Sequence, residues 1–251
     1  MSTLGLLRWV VPLGSRPVSN TAKVNKNANS GGIALTGRSA VIIEDHRLFS
    51  DFLAACFKEW GISVMLETAS GIDGLKAVRE RRPDLLMIDF SLPDIDGLEV
   101  ARQVLEDCPG VKVIGISSHR DAWTMLQVQR LGLHGFVDKL DQSRDVLKNA
   151  VASVLGGNVF YTRAVTESSA RLRNDPKAFT RVLSDYEMKI LSLIGEAKTD
   201  EEIAKIIGIS PATMQSRRRD IMRKLDIHTT PKLIHYAITH GLTRPDRLGT
   251  V

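Results

Sequence analysis

The sequence predicts an α/β domain followed by a small all-α domain, and three observations carry that reading. Five short apolar runs, at 40–44, 62–67, 85–89, 111–117 and 134–138, alternate with amphipathic helical segments. From residue 183 onward only short helical segments follow, several opened by Ser, Thr or Asp. Charge divides along the same line. Residues 39–158 hold 13 basic and 18 acidic side chains, net −5, whereas 181–251 hold 12 and 9, net +3. An acidic first domain suits a cation site, and a basic second one suits a polyanion partner.

A chain of 251 residues with 43% hydrophobic content has room for two ordinary cores. No apolar run approaches the length of a bilayer span. The two cysteines, Cys56 and Cys108, lie far apart in amphipathic segments without metal-ligand spacing, and read as buried apolar groups in a reducing, cytoplasmic setting.

Residues 1–38 carry five Lys/Arg and no acid, are rich in Ser, Asn, Thr and Gly, and are expected to form a disordered basic tail. The apolar start at 4–11 is broken by Arg8 and has no small-residue cleavage site, which disfavours a signal peptide; the basic, acid-free segment is compatible with a transit-type tail, and an extended or misassigned start is the preferred reading. In 39–158, the first helix follows from Leu48, Phe52, Leu53, Cys56 and Trp60 at helical spacing. The second helix covers 71–82 and is stopped by Pro83, the third covers 98–106, the fourth 122–131, and the fifth 146–155 before Gly156-Gly157. Five such units predict a doubly wound, flavodoxin-like parallel sheet in the order 2-1-3-4-5. Residues 159–180, with Pro176 and no strong period, read as a linker. The last domain, 181–251, is expected to hold helices at 187–194, 201–207, 211–225 and from 231 to near Gly241. Ser184 or Asp185, Thr199 or Asp200, and Ser210 before Pro211 are their cap candidates.

The chemistry gathers at the strand ends. Glu44-Asp45 follow the first strand, Asp89 ends the third, Ser117 the fourth, and Lys139 follows the fifth. In an open parallel sheet these points converge on one edge, where ligands bind. Clustered carboxylates make a hard-oxygen site for Mg²⁺, and one of them can act as a nucleophile. A carboxylate attacking a phosphate dianion needs neutralising charge around the transferred oxygens. The expected arrangement has Asp45 and Asp89 on Mg²⁺, Glu44 holding metal-bound water, and the Ser91 carbonyl as a further oxygen. Lys139 would pair with an acyl phosphate and Ser117 would donate its hydroxyl. Any one of these residues alone would be an ordinary cap, loop or surface residue; the matched set is what points to a phosphoacceptor.

Residues 200–225 have the shape of a helix-turn-helix, with a turn near Gly208-Ile209. The second helix carries Arg217, Arg218, Arg219, Arg223 and Lys224 against the single acid Asp220, while Met214, Ile221 and Leu225 form an apolar stripe. Such a helix supplies phosphate affinity, and short polar side chains near its start reach base edges. A solvated basic face is the bland alternative.

With those residues in place, 39–158 resembles the receiver domain of two-component response regulators. The resemblance rests on Glu44-Asp45, Asp89 with Pro93 and Gly97, Ser117 and Lys139. It implies phosphorylation of Asp89 by a histidine kinase, and a switch in which the Ser117 hydroxyl moves to the phosphate and the aromatic ring at Phe136 turns inward. It also places phosphate-lifetime positions at Ser91 and His119. Residues 183–243 resemble the LuxR-type domain of NarL/FixJ-like regulators through Leu183–Glu187, Glu202-Ile203-Ala204, Ile207–Ser210, Thr213, Ile221–Leu225 and Gly241-Leu242. That resemblance puts base contacts at Gln215, Ser216 and Arg219, phosphate contacts at Arg218 and Lys224, and a capping or backbone role at Thr213. The family commonly has Thr-Val-Lys-x-His where this chain has Thr213-Met214-Gln215-Ser216-Arg217, so relatives' operator preferences do not carry over. Gln reads adenine and Arg reads guanine bidentately.

The expected protein is therefore a Mg²⁺-dependent response regulator that binds double-stranded DNA as a phosphorylated homodimer, paired through 231–241 with Leu233, Ala237 and Ile238 at the contact. The receiver would catalyse only its own phosphorylation and dephosphorylation. One alternative is a constitutive DNA-binding regulator whose receiver is only a dimerisation or interaction module. A phosphohydrolase of the haloacid-dehalogenase type is disfavoured, because the second acid it needs two residues after the nucleophile is here Ser91.

Overall fold

The computed structural model describes residues 34–243 except 119–120, 141–142, 163–164, 168–169 and 171–177. The expectations for the tail before residue 34 and for His119 lie outside the described residues. The chain divides into two compact units, one built on a sheet and one helical.

The sheet unit alternates β1 (Ser39–Ile43), α1 (Arg47–Glu59), β2 (Ser63–Thr68), α2 (Gly71–Arg81), β3 (Leu85–Asp89), α3 (Gly97–Asp107), β4 (Lys112–Ser117), α4 (Ala122–Arg130), β5 (Gly135–Asp138) and α5 (Arg144–Leu155), and ends in β6 (Phe160–Tyr161). All strand pairs are parallel, in the order β2-β1-β3-β4-β5-β6. β3 is buried throughout, as continuous apolar runs in a sheet covered on both faces must be, whereas β2 at the edge alternates exposed and half-buried residues. Leu53, Phe57 and Trp60 of the α1 region, and Leu147, Val151 and Val154 of α5, pack on Met87, Ile114 and Ile116 in one core.

The sixth strand departs from the expected five. It falls in the segment read as linker, where Phe160 pairs with Gly135 and Tyr161 with Phe136. The Tyr161 hydroxyl donates to the Leu133 carbonyl at 2.8 Å, and burial pushes that phenol up to about 12. A two-residue strand has too little period to show in sequence. Two further readings shift. Leu48 was expected on the buried stripe of α1 but is 76% exposed, because the stripe turns on Ser50, Leu53, Cys56 and Phe57. Leu35 is buried, the Gly37 amide donates to the Gly61 carbonyl, and Arg38 pairs with Asp84 at 2.9 Å, so the packed chain begins before residue 39.

The helical unit holds α6 (Phe179–Val182), α7 (Asp185–Gly195), α8 (Asp200–Ile207), α9 (Pro211–Lys224) and α10 (Thr230–Thr239). Ser184 with Glu187 and Thr199 with Glu202 form reciprocal capping boxes that start α7 and α8. Ser210 caps α9 ahead of Pro211. Gly208, at φ 79°, takes the left-handed conformation that ends α8 and turns the chain into α9. The core gathers Ile190, Leu191, Ile203, Met214, Ile221, Leu233 and Ala237. Leu233 and Ala237 are fully buried within this unit while Ile238 is half-buried, so two of the three apolar residues expected at a dimer contact pack on their own domain. Among the described residues no helix is long and apolar enough to cross a membrane.

Candidate functional site

At the C-terminal edge of the sheet, β1 delivers Glu44 and Asp45, β3 delivers Asp89, β4 Ser117 and β5 Lys139. Glu44 and Asp89 are buried, Ser117 is fully buried and Asp45 is exposed. One carboxylate oxygen from each of Glu44, Asp45 and Asp89 lies within 4.8 Å of the others. Lys139 Nζ donates to Glu44 Oε1 at 2.7 Å and to Asp89 Oδ2 at 2.8 Å, so one cation holds two buried carboxylates together. The Phe49 ring centroid lies 5.2 Å from the same nitrogen. Burial pushes the Glu44 carboxyl up from its ordinary value, with Lys139 pulling the other way.

The loop after Asp89 is tied back to it, since the Ser91 amide donates to Asp89 Oδ1 at 3.2 Å. Gly97 starts α3 directly against this turn. A Cβ there would lie 2.0 Å from the Asp89 carbonyl oxygen, so no other residue fits without a backbone shift. The Lys139 amide donates to the Ser117 carbonyl at 3.0 Å, which fixes the β4 and β5 ends side by side. Phe136 is fully buried, with its ring 5.9 Å from that of Phe90, the residue after Asp89.

The donor set fits a hard divalent cation. Three carboxylates offer oxygens, and Glu44 Oε2 is buried without a hydrogen-bond partner. A buried acceptor left unpaired is costly, and a cation or its bound water satisfies it.

In the helical unit, α9 sorts its charges by position. Gln215, Ser216, Arg219 and Arg223 are exposed and, at 100° per residue, fall on the side opposite Met214 and Ile221. Arg218 and Lys224 flank the buried stripe and are engaged within the unit. Arg218 forms an ion pair with Asp200 and donates to Thr230 Oγ1 at 3.3 Å. Lys224 donates to both oxygens of Glu187 at 2.8 Å. Burial would raise Glu187, but the bonds from Lys224 and Ser184 outweigh it and hold the carboxyl below its ordinary range. The Thr213 amide donates to Ser210 Oγ in the cap.

Sequence reasoning counted Arg223 among the basic residues of the helix without giving it a contact, and passed over Asp94. Arg223 had a visible sign, its spacing of four from Arg219 and of eight from Gln215. Asp94 had none, because its partners lie more than 20 residues upstream.

Two family models match the chain: the response regulator receiver domain over residues 40–152, and the luxR family of bacterial regulatory proteins over 181–237. The chain belongs to the NarL/FixJ-type response regulators. Within that family it is 27% identical over 216 residues to the response regulator UvrY of Escherichia coli K12, a match covering 84% of this chain and 99% of that protein. It is 25% identical over 206 residues to VraR of Staphylococcus aureus, covering 80% and 97%. Its fold matches RcsB of Salmonella enterica serovar Typhimurium, solved bound to a promoter with a phosphomimetic, at a TM-score of 0.55 and 20% identity over 80% of this chain and 98% of that one. Like these NarL/FixJ-type relatives, the chain joins a receiver to a LuxR-type DNA-binding domain.

Proposed function

We propose that this chain is a transcription regulator switched by Mg²⁺-dependent phosphorylation of Asp89 by a histidine kinase. The observation that carries the reading is Lys139 bridging Glu44 and Asp89, beside the unpartnered Glu44 Oε2. An Asp89 carboxylate oxygen attacks the phosphorus in line. The new P–O bond forms as the bond to the donor breaks, and the donor group leaves on the opposite side. Asp45, Asp89 and the Ser91 carbonyl would hold Mg²⁺, with Glu44 on its bound water, and the ion would supply positive charge against the transferred oxygens. Lys139 exchanges its bond to Asp89 for one to a phosphoryl oxygen, and Ser117 donates its hydroxyl to another. Movement of Ser117 and Phe136 then biases the output.

On the DNA side, Gln215, Ser216 and Arg219 read base edges, with Arg223 on the same face reaching phosphate. The phosphate contacts expected of Arg218 and Lys224 are secondary to their ion pairs, and Thr213 completes the helix cap. RcsB has been solved as two dimers bound to two parallel DNAs, and pairing of this chain on two half-sites follows the same logic. The exposed residues of α10, Pro231, Lys232, His235 and Thr239, with half-buried Ile238 on the same helix, are the candidates for a dimer contact.

The test is intact mass after incubation with Mg²⁺ and acetyl phosphate. Wild type is expected to gain one phosphoryl group and Asp89→Asn none; labelling of both would place the phosphate elsewhere and sink the assignment. One observation favours a second reading, a constitutive DNA binder with the receiver as an interaction module. Phe136 is already fully buried with its ring 5.9 Å from that of Phe90, a packing that needs no phosphoryl group to form. Operator binding by Asp89→Asn as tight as that of phosphorylated wild type would select that reading.

A further inference from the structure

The loop between Asp89 and α3 is tied to the start of α2 by the Asp94 side chain. Asp94 lies five residues after Asp89 and three after Ser91. Its Oδ2 accepts from Ser70 Oγ at 2.7 Å and from the Ile72 amide at 3.0 Å. Its Oδ1 accepts from the Gly71 amide at 2.9 Å and from its neighbour Ile95 at 3.0 Å. Three of these four donors belong to the start of α2. The first amides of a helix have no partner within it, and here a carboxylate from a different loop takes two of them.

Ser70 serves both sides, because its hydroxyl also accepts from the Asp73 amide as the local cap. Burial works to raise Asp94, and the bonds from Ser70, Ile72 and Gly71 outweigh it, so the carboxyl stays ionised below its ordinary range. Apolar contact reinforces the join. A Cβ on Gly71 would meet Ile95 Cγ2 at 2.5 Å and Leu92 Cδ1 at 3.0 Å, so loop side chains sit tight on the α2 start. At the far end, Gly97 packs on the Asp89 carbonyl. Only Phe90–Pro93 run between Asp89 and Asp94.

We propose that Asp94 is a positioning residue for the metal site: by pinning the loop to the start of α2, it sets where the Ser91 carbonyl stands relative to the Asp45 and Asp89 carboxylates. This rests on the metal-dependent reading above. The alternative is that Asp94 is a helix cap that stabilises α2 and nothing more.

Mn²⁺ binding to the full chain, counted by electron paramagnetic resonance, separates these, with thermal unfolding followed in parallel. Wild type is expected to bind one Mn²⁺ and Asp89→Asn to bind it much more weakly. Asp94→Ala is expected to weaken binding about tenfold, the ordinary effect of losing a partner behind a ligand, with Asp94→Asn in between. Ser70→Ala loses the local cap and one of the three bonds from α2 to Asp94 but leaves both amide bonds, so it lowers the melting temperature while affinity falls clearly less than in Asp94→Ala. Asp94→Ala binding as tightly as wild type would overturn the proposal, as would Ser70→Ala weakening binding as much as Asp94→Ala. If Asp94→Ala does not fold, Asp94→Asn decides by the same criteria. If wild type and Asp89→Asn bind Mn²⁺ alike, the metal-site reading itself fails, and this inference fails with it.

Discussion

The acidic pocket and the α9 helix both concentrate charge, but they relate charge to burial in opposite ways. In the pocket two of the groups assigned to chemistry, Glu44 and Asp89, are each 3% exposed and among the most buried charges of the sheet unit, with exposed Asp45 at their edge. On α9 the groups assigned to DNA are the exposed ones, and the more enclosed cation, Arg218, is tied to Asp200. The difference follows from the partner. A small cation or a phosphoryl group is compact enough to meet side chains set into the sheet edge, where low dielectric strengthens each interaction. A DNA duplex cannot enter, so the side chains that meet it must stand out from the helix. Exposure by itself therefore marks function in neither direction.

The largest expected effect breaks the buried side of this contrast. Lys139→Ala leaves two carboxylates facing each other without their cation. Removing one partner of a buried pair costs about 3–5 kcal/mol. Part of that loss should return on adding Mg²⁺, since a bound cation restores the missing charge. Urea titrations with and without Mg²⁺ measure both; a loss that Mg²⁺ does not touch would mean that Lys139 is structural only. Next is Gly97→Ala, whose methyl must push into the Asp89 carbonyl. Overpacking of this kind costs about 1–3 kcal/mol, and the displaced turn should slow phosphoryl uptake in the intact-mass assay more than stability alone accounts for.

The exposed side is sharpened by the salt dependence of DNA binding. Each phosphate contact removed should lower the slope of log affinity against log salt by about one. Arg223→Ala is expected to do so. Arg218→Ala is expected to leave the slope unchanged while lowering stability, because its guanidinium serves Asp200 and Thr230. Arg219→Ala should cost about 1–3 kcal/mol and relax sequence preference at one base pair. Equal slope changes for Arg218 and Arg223 would erase the distinction between the two regions.

These contrasts also show where the sequence was legible. The strand ends were, because continuous apolar runs stopped by Asp89, Ser117 and Lys139 carry both the fold and the chemistry in adjacent residues. The caps at Ser184, Thr199 and Ser210 were legible because capping is local. β6 was not, since two residues have no period. Nor was the Asp94 contact to α2, which is non-local and leaves no pattern along the chain. On α9 the sequence showed which residues are charged but not which are engaged. Arg218 and Arg219 look alike until Asp200, 18 residues upstream, is brought beside one of them.

The smallest expected effect tests the engaged side of α9 through pH. Glu187 is held below its ordinary value of 4.5 in the folded chain by Lys224 and Ser184. A carboxyl depressed on folding contributes stability that is complete above the unfolded value and lost as pH falls through the lower folded one. The α7–α9 join should therefore loosen on acidification below about pH 4.5, and Glu187→Gln should already be weakened at neutral pH and change less on acidification. Lys224 is 42% exposed, so solvent screens the pair and the effect is at most about 1 kcal/mol. Hydrogen exchange of the α9 amides reads that helix separately from the acidic pocket, whose carboxylates titrate in the same range. An identical pH profile in Glu187→Gln would show that the Lys224 pair is incidental, leaving Lys224 free for the phosphate contact that the family resemblance assigned to it.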